Sequence, residues 1–239
     1  LNAEGDAHRR AKRYEQAVDA YKASIALWQQ LTRKNPDDVA CQRGLAEAFH
    51  GLGLAYSSSD QHQGARQAFE KAIPIYKRLA DSHQSESDQL WLGGAYCNLA
   101  HRLRKLKEYD TALKNYELSI ATLKDMLKSN PEHTTGRRFL GNAFLGRGQA
   151  NRERGSHVEA IADLSTAIEY KPDSCALFQS RGNAYAETEQ WEQAAADFKK
   201  AKNLHATSPN HWIDHARINL QLGQIDEYHR TCQQLLDRF

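Results

Sequence analysis

His211 and His215 stand four residues apart in His211-Trp-Ile-Asp-His215, a spacing that puts two imidazoles on one face of a helix, a turn apart, as zinc sites often do. The glutamate of H-E-x-x-H is absent and the sequence places no third ligand, so no metal is expected and the two are read as partly buried histidines. Cys41, Cys97, Cys175 and Cys232 are scattered with no C-x-x-C spacing. They point to neither a disulfide framework nor a zinc knuckle, but to buried free thiols in a reducing, cytoplasmic compartment. No nucleophile elbow, phosphate-binding loop, dinucleotide fingerprint or kinase signature occurs. With no acid, base and nucleophile converging, neither an enzyme nor a cofactor is expected. What remains is charge: His-Arg-Leu-Arg-Lys-Leu-Lys at 101–107 gathers cations that would complement the dipole at a helix end and stay solvated, or bind carboxylates.

The elements that would carry these groups are set by a ladder of small residues. Gly5/Ala17, Gly53/Ala65, Ala100/Ala112, Gly148/Ala160, Gly182/Ala194 and Ala216/Tyr228 are pairs twelve positions apart. A large apolar residue stands four before each first member (Leu1, Phe49, Tyr96, Phe144, Phe178 and Trp212), so each first helix carries a knob and a gap on one face. Four and seven residues after each second member come Tyr21/Ser24, Phe69/Ala72, Tyr116/Ser119, Leu164/Ala167, Phe198/Ala201 and Cys232/Leu235. That second stripe lets two helix backbones approach closely. The pattern predicts about twelve helices in six helix-turn-helix units, the first truncated, and no strand.

The period is not uniform. Successive second members are separated by 48, 47, 48, 34 and 34 residues. Asn35-Pro36 and Asn130-Pro131 place proline 19 residues after the anchoring alanine, whereas Lys171-Pro172 places it 12 after. From Pro36 to Ala65 and from Pro131 to Ala160 is 29 residues, against 22 from Pro172 to Ala194, so the two helices flanking each long loop gain seven residues apiece. Seven residues are about 10 Å of helix. The expected units are 1–34, 37–83, 86–129 and 132–171, then 172–205 and 209–239 at ordinary length. Pro74 falls inside an expected helix and predicts a kink or break, followed by a polar loop from Asp81 to Asp88.

With Phe-Gln-Ser-Arg-Gly-Asn-Ala-Tyr at 178–185 followed by Trp191, Ala194, Phe198 and Ala201, the chain resembles the tetratricopeptide repeat along almost its whole length. The aromatic that the family sets three residues before the alanine is present as Tyr14, Tyr109 and Trp191, and replaced by His62, His157 and Ile225. The resemblance implies an all-α fold, a right-handed α-α superhelix forming one solenoid, whose first helices line a concave groove. Carried over by position, the groove residues are Asn2, Asp6, Arg9, Arg10, Glu47, His50, His101, Arg104, Lys105, Asn142, Leu145, Gln149, Arg152, Gln179, Asn183, Ile213 and Arg217. All but Asn2, Asp6, Glu47, Leu145 and Ile213 are taken as candidate peptide-binding residues. Arginine binds carboxylates bidentately and Asn or Gln pairs with an extended backbone, so the expected ligand is an acidic segment of a protein partner. The lysine and asparagine order of a chaperone-tail clamp is absent.

Residues 1–155 hold 24 Lys/Arg against 18 Asp/Glu (+6) and residues 156–239 hold 8 against 12 (−4), which sums to the net +2. A nucleic-acid binder would show a stronger and more continuous basic footprint, so none is expected, nor is a membrane span. Self-association through the last unit, by Trp212 and Leu235, is an open alternative. The long units are similar to those of kinesin light chains and large bacterial signalling proteins. The loops Lys-Asn-Pro-Asp-Asp and Ser-Asn-Pro-Glu-His, with the tail from Leu222, resemble repeat regions that follow the catalytic domain in bacterial, planctomycete-like serine/threonine kinases. The expectation is a non-catalytic scaffold or, alternatively, the regulatory segment of such a signalling enzyme, excised from a larger protein.

Overall fold

A computed structural model describes residues 1–83, 85–204 and 209–238, and in them finds twelve α-helices and no strand. They are α1 (Asn2–Arg10), α2 (Tyr14–Lys34), α3 (Val39–Ser58), α4 (His62–His83), α5 (Glu86–Lys105), α6 (Tyr109–Ser129), α7 (Thr134–Arg154), α8 (His157–Tyr170), α9 (Cys175–Glu187), α10 (Trp191–Asn203), α11 (Asn210–Gln221) and α12 (Ile225–Arg238). Odd-numbered helices are the first and even-numbered the second of each repeat, and the fold is an α-α superhelix. Contacts divide it into two compact units, residues 1–139 and 140–239. His205 and Phe239, expected ends of repeats, lie outside the described residues, as does Gln84.

Each second helix begins on the residue in the family's aromatic position, whether that residue is Tyr14, His62, Tyr109, His157, Trp191 or Ile225. The turn before it has one geometry throughout: Lys12, Asp60, Lys107, Gly155, Glu189 and Gly223 all take positive φ, two residues before the helix start. The following N–H reaches five residues back, as Arg13 to His8, Gln61 to Tyr56, Glu108 to Leu103 and Gln190 to Tyr185, each at 2.9 Å. This is the Schellman closure of a helix C-terminus. Only two of the six left-handed residues are glycine, so composition hides the motif.

Helices α2 to α7 run from 20 to 22 residues, and α8 to α12 from 12 to 14, so the step in length falls between α7 and α8. The small–large pairs meet as expected: a methyl on Gly53 would sit 2.6 Å from Phe69, and one on Gly182 would sit 2.7 Å from Phe198. Ala100 and Tyr116, both fully buried, hold the same places between α5 and α6. Seven residues back from Ala100 and seven on from Tyr116 stand Gly93 and Leu123, and a methyl on Gly93 would sit 2.6 Å from the Leu123 side chain. The insertion therefore adds two turns to both antiparallel helices and keeps their register, with its own small–large pair.

Asn35, Asn130 and Lys171 leave the helical region before their prolines, with φ of −132°, −140° and −143°. Pro74 does not break its helix, since α4 is continuous across it. The ring lies on the exposed side, where the Glu70 carbonyl it leaves without a donor can be hydrated. Nor is there a polar loop from 81 to 88: α4 runs to His83 and α5 starts at Glu86, whose first turn carries Glu86 and Asp88 to complement the helix dipole.

Candidate functional site

In residues 1–139 the first helices α1, α3 and α5 lie side by side. Asn2 Nδ2 donates to the Gly44 carbonyl at 3.3 Å, joining α1 to α3. Arg43 Nε and Nη2 donate to the two oxygens of Asp88 at 3.0 and 2.9 Å, joining α3 to α5 around a carboxylate with no exposure. His50 is hydrogen-bonded to Asn98 at 2.9 Å across the same junction and packs against Phe69, Tyr76 and Trp91. Burial pushes its imidazole down to about 4, so it is neutral at pH 7. His101 pairs with the Tyr116 hydroxyl at 2.7 Å, and burial, then Arg104, Arg102 and Lys105, push it down to about 3.

These helices share a cavity of about 300 Å³, lined by Asn2, Asp6, Arg9, Tyr21, Glu47, His50, Gly51, Leu54, Tyr76 and Trp91. Asp6 accepts from Tyr21 Oη at 2.8 Å and Arg9 Nη2 at 3.2 Å. Partial desolvation, with the charges of Asp6 and Asp88, raises the Glu47 carboxyl above its ordinary range against the pull of Arg43. Tyr76 is fully buried and its hydroxyl has no hydrogen-bond partner.

Residues 140–239 are organised differently. Arg147 donates twice to buried Asp163 at 2.9 and 2.6 Å, and Arg181 twice to buried Asp197 at 2.8 Å, each fork closing one repeat from first helix to second. In the last repeat the corresponding places are taken by His215 and Thr231, hydrogen-bonded at 3.1 Å. Burial pushes His215 down to about 4. Its companion in the His211/His215 spacing, His211, is half-buried and bonds to Gln179 at 2.6 Å, so the two imidazoles have separate partners. Among the described residues no group of three or more His, Cys, Asp or Glu is placed to hold a metal ion.

The candidate residues fall six and six. Of those in 1–139, Arg9 and His50 line the cavity, Arg10 and Lys105 are exposed, and His101 and Arg104 are half-buried near the end of α5. Those in 140–239 mostly have bonding partners within that unit. Gln149 donates to Ser180 at 3.4 Å, Gln179 to Asn183 at 3.3 Å and to Asp214 at 2.7 Å, and Asn142 accepts from Lys171 at 3.0 Å. Arg152 is paired with Glu187 at 2.9 Å, while Arg217 is exposed beside a cavity of about 420 Å³ on α9 to α11. Sequence reasoning missed the three arginine–aspartate forks. A signal existed for two of them: in consecutive repeats arginine precedes the small glycine and aspartate follows sixteen residues later. Of the two residues named for the alternative of self-association, Trp212 is buried beneath Lys202 and Arg238 at 5.0 and 5.5 Å and Leu235 is half-buried.

Tetratricopeptide repeat family models match residues 1–78 and 92–134. The chain belongs to the tetratricopeptide repeat family. Among curated relatives, RNA polymerase-associated protein CTR9 of Saccharomyces cerevisiae is 24% identical over 98% of this chain and 17% of its own length. DnaJ homolog subfamily C member 7 of Mus musculus is 24% identical over 77% of this chain and 35% of its own. The chain thus spans well under half of these relatives. The crystal structure of BtubC from P. vanneervenii matches with a TM-score of 0.71 at 15% identity, covering 94% of this chain and 90% of that one. This likeness is one of fold. A tetratricopeptide array supports a protein–protein interaction scaffold, and no described helix is long and apolar enough to cross a membrane.

Proposed function

We propose that this tetratricopeptide chain is a non-catalytic scaffold that holds an extended segment of a protein partner against the first-helix face of residues 1–139. One observation carries the reading: a cavity of about 300 Å³ on that face is lined by Tyr76, whose buried hydroxyl has no internal partner. In 140–239 most candidate groove residues are bonded within the unit, and the cavity of about 420 Å³ there lies beside Arg217. The rigid repeats pre-organise many weak contacts and spare their ordering entropy on binding.

Acidic side chains of the segment meet the cations at the end of α5. Arg102 is half-buried, and desolvation lowers its pKa, so a carboxylate there would relieve a real cost. Arg104 and exposed Lys105 stand beside it. The modest net charge of +2 favours a protein over a nucleic acid, and the free, buried Cys41 and Cys97 favour a reducing, cytoplasmic setting. The second reading, a regulatory segment of a serine/threonine kinase, stands on the wording of two loops and of the tail from Leu222.

The test is a selection of random twelve-residue displayed peptides on the whole immobilised chain, repeated on Arg104→Glu/Lys105→Glu. Enrichment of Asp and Glu on the native chain, lost on the variant with helicity unchanged, is expected. Enriched peptides without charge bias would refute the acidic preference, and no enrichment would refute the peptide face.

A further inference from the structure

The cavity on α1, α3 and α5 has a charge balance opposite to that at the end of α5. Asp6, Glu47 and, behind them, Asp88 face two guanidinium groups, Arg9 and Arg43. Both arginines are committed. Arg9 donates to Asp6 at 3.2 Å, and Arg43 turns its whole fork to Asp88 at 3.0 and 2.9 Å. Arg43 and Glu47 are four apart on α3, the spacing at which an ion pair ordinarily forms, yet Asp88 has taken the arginine. Glu47 is left with no hydrogen bond or ion pair among the described residues. His50 is buried, bonded to Asn98, and cannot supply a positive charge.

The walls suit the same kind of ligand. Half-buried Trp91 borders the cavity with the buried rings of Tyr76 and Tyr21 behind it, and a ring face attracts a cation that has shed water. The Tyr76 hydroxyl is the independent sign that something belongs there. It is fully buried, lines the cavity and has no partner, and a buried polar group left unsatisfied is costly. Its oxygen can accept from a donor entering the cavity, and an ammonium or guanidinium is all donor.

We infer that this cavity receives a basic side chain, arginine or lysine, of the partner's segment, with Glu47 as its counter-ion and the Tyr76 hydroxyl and Trp91 ring completing the seat. The inference rests on the proposed function only in taking the ligand to be a peptide. It gives the recognised segment a mixed character, with a basic residue at α1 and α3 and acidic residues toward the end of α5.

The test titrates the whole chain with the blocked pentapeptide Ala-Ala-Arg-Ala-Ala and two analogues in which citrulline or glutamate replaces arginine, following amide and indole NMR signals. The arginine peptide should shift signals around Trp91, Glu47 and Tyr76, and bind about tenfold more tightly than the citrulline peptide, as expected for losing one charged hydrogen bond. Glu47→Gln, a change on the cavity rim, should abolish that difference. Tyr76→Phe, which keeps the ring, should weaken the arginine peptide severalfold. Equal binding of all three peptides would overturn the inference while leaving a peptide-binding face intact. Binding of none would overturn both, and full arginine selectivity in Glu47→Gln would remove the counter-ion and with it the inference.

Discussion

The two units hold their repeats together by different means. In 1–139 the second helices are about seven residues longer, and the extra turns supply a further apolar contact such as Gly93 against Leu123. In 140–239 the helices α8 to α12 lack those turns, and an arginine–aspartate fork closes each of two repeats, one from the long α7 to α8 and one from α9 to α10. The Arg43–Asp88 fork of the long unit runs between repeats rather than within one, and so fixes α3 against α5 beside the cavity. The first helices of 140–239, the long α7 included, draw most of their candidate polar groups into internal pairing, as with Asn142, Gln149, Arg152 and Gln179. In 1–139 the cavity keeps the Tyr76 hydroxyl without a partner.

The strongest way to break this contrast is to orphan a buried carboxylate. Arg181→Ala leaves Asp197 charged and alone, and should cost about 3 to 5 kcal/mol of stability, read by thermal unfolding. Arg181→Met/Asp197→Leu should recover most of that loss. Arg43→Ala should cost as much, because Asp88 has no exposure at all. If either single change is neutral, the forks do not hold the repeats.

Acidification comes next. His50 has a folded pKa of about 4, below the ordinary 6.5, so the unfolded chain binds the proton more readily. Stability is full above about pH 6.5 and is lost as pH falls from there toward 4, by up to about 3 kcal/mol for this residue. His101 acts in the same direction in the long unit, and His215 in the short one. The melting temperature of His50→Asn should therefore fall less between pH 7 and pH 4.5 than that of the native chain.

Smaller effects sharpen the account of the inserted turns and the shared turn. Gly93→Ala should cost about 1 to 3 kcal/mol by pressing a methyl on Leu123. Lys107→Gly, at a residue with φ of 62°, should stabilise by at most about 1 kcal/mol, since glycine adopts that backbone without strain. Both are measurable by denaturant titration.

The repeat, its register and the change of helix length were legible because small–large spacing and pre-proline positions are local and periodic. The unbroken α4 was not, because whether a proline breaks a helix depends on which side its freed carbonyl faces. The Schellman turns were hidden by lysine, aspartate and glutamate in left-handed positions that composition assigns to glycine. For the site, position along the family pattern placed Arg9 and His50 on the cavity, but whether a polar residue is free depends on partners in neighbouring repeats. Arg152 is paired with Glu187, 35 residues away, and Gln179 with Asp214 at the same separation. Glu47, a groove position left off the candidate list, has no hydrogen bond or ion pair among the described residues because Asp88, 45 residues from Arg43, captured its neighbour.

A binding face on the first helices of residues 1–139 is tested most directly by amide hydrogen exchange of the whole chain, with and without a peptide enriched by selection from a random library. Exchange should slow in α1, α3 and α5, with α2, α4, α6, α9 and α11 unchanged. Protection centred on α9 and α11, or on the second helices, would contradict it.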